Sequence, residues 1–287
     1  MRTRAIVSRQ LSQRVAFGLL VLATIIVVVP ALLIILKIVI SGAGTIGWEF
    51  LTQPPSQAGK AGGIFPAIVG TFYLMLGTFV FSLPIGVMAG IYLAEYAPRN
   101  WLTRAINMAI INLAGVPSIV YGLFGLGVFV LALNLGMSLL AATLTLACQA
   151  LAMTITTSRE AILAVPREYR EGSLAIGATK WQTVRHLILP QARPGIITGA
   201  VLAMSRAAGE TAPILVVGAA FLMRGLPQSP SDQFMALAYH LYTVAAHVPG
   251  MPKDTIWAVA LVLLVVVLSF NVLATIIRLR TRQRRYG

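Results

Sequence analysis

Two residues of opposite charge, Arg206 and Glu210, interrupt a long apolar stretch at residues 196–222, near its midpoint. Spaced four positions apart, they share one face of a helix and can pair. An arginine at the centre of a membrane span costs about 2.5–3.5 kcal/mol on insertion scales, so an ionisable residue there indicates a functional site. A guanidinium group can bind two oxygens of a doubly charged oxyanion. We therefore predict an oxyanion pathway at Arg206, and an ion pair that only fixes helix packing is the alternative.

Glu210 has two possible roles in such a pathway. It could hold the guanidinium group of Arg206 in place, or it could repel the anion so that the anion is not trapped. The sequence leaves both roles open.

The loop that precedes this stretch has residue types typical of helix ends. Pro166 suits the first position of a helix, and Gly177 suits the left-handed residue just past a helix end. Thr179 and Gln182 fit a capping box that begins a second helix, which Pro190 should end. The loop is thus predicted to form two short helices that meet at a glycine. A plain amphipathic linker on the lipid surface is the alternative.

The elements that position these residues are membrane spans. Of the 287 residues, 58% are apolar and only 10% are charged, whereas about a quarter of a soluble domain is charged. A span needs about 20 mostly apolar residues. Six segments qualify: 16–40, 66–95, 105–133, 138–157, 196–222 and 255–277. The predicted fold class is an all-α integral membrane protein with six transmembrane helices.

Two features inside these segments predict how the spans pack. Gly86 and Gly90 form a GxxxG pattern, which lets a second helix approach closely. Pro84 and Pro117 should kink the second and third spans.

The net charge of +14, from 22 Lys and Arg against 8 Asp and Glu, follows the membrane topology. The N-terminal arm, the loops near 96–104 and 158–195, and the C-terminal tail together carry 17 of the cationic residues. The opposite loops hold Lys60, Arg224 and Lys253. The positive-inside rule therefore predicts a multi-pass protein of the cell (inner or plasma) membrane with both termini in the cytoplasm. Nucleic acid is not needed to explain the charge.

The predicted domain organisation follows from the same pattern. Residues 1–15 are a basic cytoplasmic arm, 16–277 a six-span transmembrane domain that includes the loop 158–195, and 278–287 a basic cytoplasmic tail.

No catalytic residue, metal site or cofactor is predicted. His240 and His247 lack Cys or carboxylate partners and are interpreted as surface histidines, and a surface helix is predicted within residues 223–254. The sequence contains no G-x-x-x-x-G-K-[ST] phosphate loop, so a separate subunit would have to hydrolyse ATP.

The loop resembles the EAA loop of ABC importer permeases, which docks into a groove of the cytoplasmic ATPase. The resemblance rests on the Glu, the Gly, the hydrophobic pair and the Pro of that pattern, and Gly172 and Ser173 replace its two alanines. It implies that this loop is the coupling loop, with contact residues Glu171, Gly172, Ser173, Ala175, Gly177, Ala178, Leu189 and Pro190.

The stretch around Arg206 resembles the R-x-x-G-E-T-A-P signature of PstA-type permeases of phosphate importers. Motifs near residues 62–71, 90–96 and 115–120 also match, so the resemblance covers most of residues 60–278. It implies a type I ABC importer architecture and a substrate pathway at Ser205, Arg206, Glu210 and Thr211. It also implies the partners: a homologous PstC-type permease, two ATPase subunits, an extracytoplasmic phosphate-binding protein, inorganic phosphate and membrane lipid.

Other functions stay open at this point. A permease for another oxyanion, such as sulfate or molybdate, would also use an arginine. An ion-coupled secondary anion transporter or an anion channel is a second class, although a secondary transporter would usually show paired repeats. A membrane enzyme is a third, but no His/Asp cluster or nucleophile–base set accompanies the spans.

Overall fold

A computed structural model describes residues 2–223 and 225–283 of the chain. Arg224 of the predicted outer loops, and Arg284 and Arg285 of the predicted tail, lie outside the described residues. The α-helices are α1 (Arg2–Gly42), α2 (Trp48–Thr52), α3 (Phe65–Ile91), α4 (Trp101–Ala114), α5 (Ser118–Gly125), α6 (Leu139–Leu163), α7 (Arg167–Ala175), α8 (Lys180–Thr183), α9 (Leu189–Gly209), α10 (Ala212–Leu215), α11 (Leu237–Ala246) and α12 (Lys253–Gln283). Two-residue strands β1 (Pro55–Ser56) and β2 (Ala61–Gly62) pair antiparallel. The helical fold class is confirmed.

Shorter helical turns extend several of these helices. π-helical turns at Tyr92–Tyr96, Leu126–Ala132 and Val184–Ile188 continue α3, α5 and α8, and 3₁₀ turns occur at Ala43–Thr45 and Gln57–Gly59.

Five helical segments in the described part of the chain are long and apolar enough to span a membrane: Ala16–Thr45, Phe65–Tyr96, Leu139–Leu163, Lys180–Gly209 and Lys253–Ile276. A bent pair, Trp101–Ala114 and Ser118–Ala132, gives a sixth if it is counted as one span. The prediction of six apolar spans therefore holds with one of them broken.

The third predicted span, 105–133, is wrong as a single helix. The helix axis bends by 103° between Trp101–Ala114 and Ser118–Ala132. Pro117 lies in this break and is the N-cap residue of α5. Proline has no backbone N–H, and its ring disfavours helical geometry at the preceding residue, here Val116. The predicted kink is thus a break. By contrast, α3 continues through Pro84.

The fifth predicted span, 196–222, is displaced along the chain. The helix begins at Lys180 and continues through Pro190 and Pro194 to Gly209. The prediction that Pro190 ends a helix is therefore wrong. A π-helical turn ends at Ile188, two residues before Pro190, and such local adjustments satisfy the backbone groups that a proline frees.

The segment that follows Gly209 is folded back into the protein instead of completing a span. Ile214, Val217 and Phe234 are fully buried and belong to the core cluster that includes Leu146 of α6. Backbone N–H groups at the start of α6 donate to carbonyls that follow Gly209; that of Ser138, the N-cap residue, donates to Val217 O at 3.2 Å. This segment therefore packs at the start of α6.

The surface helix predicted within 223–254 is also corrected. The helix α11 is present, but Leu237 and His240 are buried and Phe234 precedes the helix. His240 is 1% exposed, so it is not a surface histidine, and its burial lowers its pKa to about 4. His247 is exposed, as predicted.

Glycine contacts join α3 to α6, the two helices with the most extensive contact in the described part of the chain. A Cβ atom added to Gly86 would lie 2.6 Å from Thr154 Cγ2, and one added to Gly90 would lie 2.8 Å from Ser158 Cβ. The close approach predicted from the GxxxG pattern is therefore present, and α6 in turn packs along α9.

Candidate functional site

Arg206 and Glu210 form an ion pair at the end of α9. Arg206 Nε lies 3.2 Å from Glu210 Oε1, and the two side chains are 54% and 14% exposed. Arg206 belongs to the last turn of α9, where the helix dipole favours a positive charge. Glu210 follows that turn in extended geometry, with φ −75° and ψ 126°. The helix end thus brings the two predicted charges together.

A third residue, Gln149 of α6, joins this pair. Its Nε2 donates to Glu210 Oε1 at 2.7 Å. Glu210 is therefore held from α6 and from α9 at once. The side chain of Arg206 makes no hydrogen bond among the described residues other than that of Nε to Glu210, so its two terminal nitrogens stay available to a ligand.

The neighbours of the ion pair show its depth in the bundle. Gln149 lies near the middle of α6. Ser205, adjacent to Arg206, donates from Oγ to the backbone carbonyl of Val267 at 3.2 Å, and Val267 lies near the middle of α12. The ion pair is therefore level with the middle of two candidate spans, although it stands at the end of its own helix.

A small open pocket with a cavity volume of about 20 Å³ is lined by the three polar residues. Its remaining wall is apolar and comes from α6 and α9: Leu146, Ala150, Met153, Ala203 and Ala207. An arginine in a mostly apolar pocket interacts with an anion more strongly than one in bulk water, because the local dielectric constant is lower.

The structure does not bring all four predicted pathway residues together. Ser205 is buried, and its hydroxyl group is used in the contact with α12. Thr211 is half-buried directly before α10, and it does not line the pocket. Arg206 and Glu210 line it, whereas Ser205 and Thr211 do not.

Gln149 was missed by the sequence reasoning. The available signal was an uncharged amide alone in the apolar run of the fourth predicted span, and polar side chains in spans often bond across helices. Its Oε1 is a buried acceptor without a hydrogen-bond partner among the described residues. The described residues contain no group of three or more His, Cys, Asp or Glu side chains that could hold a metal ion.

The predicted coupling loop has the expected glycine turn. Helix α7 ends near Ala175, and Gly177 adopts φ +87°, which a residue with a side chain rarely tolerates. Thr179 and Gln182 form both hydrogen bonds of the predicted capping box at the start of α8. Pro166 is the residue before α7 instead of its first residue.

The predicted contact residues of this loop differ in exposure. Glu171, Gly172, Ala175 and Gly177 are exposed, whereas Ser173 and Ala178 are half-buried. Leu189 and Pro190 are the first residues of α9, because α8 continues into that helix.

Large apolar side chains on either side of the glycine turn are exposed. They are Tyr169, Leu174, Ile176 and Trp181, and Ile176 is 87% exposed. Exposed apolar groups concentrated on one short segment are typical of an interaction surface.

Comparisons with known proteins agree on one family. Residues 86–283 match the family described as "Binding-protein-dependent transport system inner membrane component". The chain is 32% identical to the phosphate transport system permease protein PstA 1 of Mycobacterium tuberculosis, over 78% of this chain and 73% of that protein. It is also 32% identical to the probable phosphate transport system permease protein PstA of Methanocaldococcus jannaschii, over 87% of each chain.

The fold is similar to that of solved ABC importers. A chain of the inward-facing MetNI methionine ABC transporter superposes with a TM-score of 0.61, at 21% identity, over 76% of this chain and 97% of that one.

Proposed function

Because the chain belongs to the family of binding-protein-dependent transport system inner membrane components, we propose that it is the PstA-type permease subunit of an ATP-driven phosphate importer. The single observation that supports this most strongly is the half-exposed guanidinium group of Arg206 in a pocket at the middle of the bundle. The PstA names of relatives that cover most of the chain support the choice of phosphate.

The three polar residues of the pocket have distinct roles in this proposal. The terminal nitrogens of Arg206 bind two phosphate oxygens, and Nε stays with Glu210. Glu210 orients the guanidinium group and limits how tightly the anion is held. Gln149 keeps Glu210 in place from α6.

The acceptor groups of the pocket favour phosphate over other oxyanions. Near neutral pH, hydrogen phosphate carries a hydroxyl group that can donate a hydrogen bond, whereas sulfate and molybdate dianions carry none. The carboxylate of Glu210 lies beside Arg206 and can accept this bond. A site built to accept a hydrogen bond from the ligand disfavours ligands that lack a donor.

ATP hydrolysis takes place on a partner in this proposal. The exposed apolar side chains around Gly177, together with Glu171, form the surface that docks on a cytoplasmic ATPase. The complete importer contains a PstC-type second permease, two ATPase subunits and an extracytoplasmic phosphate-binding protein. The permease itself catalyses no reaction.

The proposed topology places both termini and α7 in the cytoplasm of a cell whose inner or plasma membrane holds the protein. A tag at the C-terminus should be cleaved by added protease in inverted vesicles and protected in right-side-out vesicles. Cleavage in right-side-out vesicles would contradict this orientation.

The substrate is tested by uptake into liposomes that contain the complete importer. We expect saturable uptake of labelled phosphate that an excess of unlabelled sulfate or molybdate does not reduce. Unlabelled phosphate is the positive control for competition. Uptake of labelled sulfate or molybdate in place of phosphate would assign the permease to another oxyanion.

A further inference from the structure

Helix α7 is attached to the rest of the protein mainly through polar contacts. Of its residues, only Arg170 and Ser173 are not exposed. Ser173 Oγ lies 2.9 Å from Thr183 Oγ1, which joins α7 to α8. Arg170 provides the contact with the membrane bundle. We therefore expect α7 to move together with the groups that bind Arg170.

Arg170 contacts two helices of the bundle at their ends. Its Nε and Nη2 donate to Glu95 Oε1 at 2.9 and 2.8 Å, and Glu95 lies in the π-helical turn that ends α3. Nη2 also donates to Ile162 O at 2.7 Å, and Nη1 donates to Val165 O, at the end of α6. The two side chains are 18% and 9% exposed. One guanidinium group thus connects α7, α3 and α6.

A second contact reaches the same turn from the other side of the glycine. Lys180 Nζ, at the start of α8, lies 5.0 Å from the centre of the Tyr96 ring, a cation–π distance. Glu95 and Tyr96 therefore receive one cation from α7 and one from α8. Both of these contacts of the loop with the membrane bundle therefore include the final turn of α3.

The helices joined by Arg170 also lead to the substrate pocket. Gly86 and Gly90 let α3 pack closely on α6, so we expect the two helices to move together at these contacts. Gln149, further along α6, holds Glu210 of the ion pair. A displacement of α7 therefore has a continuous path of packed groups to the pocket.

We propose that the Arg170–Glu95 ion pair is the positioning link through which movement of α7 is transmitted to α3 and α6. This inference rests on the proposed function, because it presumes that an ATPase moves α7. The geometry explains why arginine is used at this position. Its planar guanidinium group has three nitrogens that donate at once to the Glu95 carboxylate and to the carbonyl oxygens of Ile162 and Val165, which a lysine cannot do.

The test compares phosphate transported with ATP hydrolysed, for assembled importer in liposomes. Glu95→Gln removes the charge that Arg170 pairs with, and Arg170→Lys keeps the positive charge without the fork. Each change is expected to lower the number of phosphate ions transported per ATP by about tenfold. A merely structural defect would lower uptake and hydrolysis together and leave this ratio unchanged.

Two further variants complete the test. The double variant Glu95→Gln with Arg170→Gln should be no more uncoupled than Arg170→Gln alone, because Arg170→Gln already removes every bond of the guanidinium group, the one to Glu95 included. Arg99→Gln removes a charge from the exposed connection after α3 and should keep the wild-type ratio. If Glu95→Gln prevents assembly, Arg170→Lys alone decides the outcome.

The failure of this inference differs from that of the proposed function. Wild-type ratios in the assembled Glu95 and Arg170 variants would overturn the link. Absence of ATP-driven phosphate uptake by the wild-type importer would instead overturn the proposed function.

Discussion

Replacing Arg206 by alanine is expected to abolish phosphate uptake while the importer still assembles. The terminal nitrogens of Arg206 are the free cationic donors of the pocket in the described part of the chain. Two charge-assisted hydrogen bonds contribute about 1.5–3 kcal/mol each, so their loss should lower uptake by about 100-fold or more. Assembly should persist because the side chain is 54% exposed and Gln149 still holds Glu210. Uptake of labelled phosphate, with the amount of purified complex held equal, is the measurement.

Two variants control this experiment. Arg104→Ala removes an exposed arginine of α4 and should leave uptake unchanged. Arg206→Lys keeps the charge but loses the two-pronged geometry, and it should retain only a fraction of the uptake. If Arg206→Ala transports phosphate at the wild-type rate, the ion pair serves only helix packing.

Replacing Glu171 by lysine is expected to separate ATP hydrolysis from transport. Glu171 is exposed on α7, beside the exposed apolar side chains Tyr169 and Leu174, so its charge faces the proposed ATPase contact. A reversed charge at such an interface opposes docking. The ATPase subunits should still hydrolyse ATP, but phosphate uptake should fall by about tenfold or more.

The matched control for Glu171→Lys is Glu160→Lys. It makes the same charge change on an exposed residue near the end of α6, outside α7. Hydrolysis and uptake should both stay at the wild-type level in this control. Uptake that remains coupled to ATP in Glu171→Lys would show that this residue does not contribute to docking.

Local signals predicted the turn and the helix start in the loop 158–195 well, because each depends on a few neighbouring residues. The left-handed geometry of Gly177 and the capping box of Thr179 and Gln182 follow from the chemistry of those residues alone. The GxxxG contact on α6 also needed only local information, since glycine removes the side chain that would keep two helices apart.

The bounds of the spans were less predictable because hydropathy does not distinguish a span from buried irregular chain. Residues 210–222 are as apolar as a span, yet apart from the single helical turn α10 they pack as irregular chain against α6. Pro117 breaks a helix and Pro190 does not, because a π-helical turn accommodates the second. This difference arises from hydrogen-bond geometry that composition does not show.

Of the polar residues in the pocket, the two charged ones could be predicted from the sequence and the amide could not. The cost of burying Arg206 and Glu210 identified them, since such charges are rare without a function. Gln149 comes from a helix 61 residues earlier in the chain, so its contact with Glu210 depends on how α6 and α9 pack. Ser205 and Thr211 followed from motif resemblance alone, and their side chains lie away from the pocket.

The energy source of transport distinguishes an ATP-driven importer from a gradient-driven transporter. Liposomes containing both permeases, the two ATPase subunits and trapped ATP are supplied with labelled phosphate, with and without the binding protein. We expect that uptake requires ATP, the ATPase and the binding protein together, and that an imposed ion gradient cannot replace ATP. Phosphate uptake driven by a gradient, in the absence of ATP and the ATPase, would contradict this expectation.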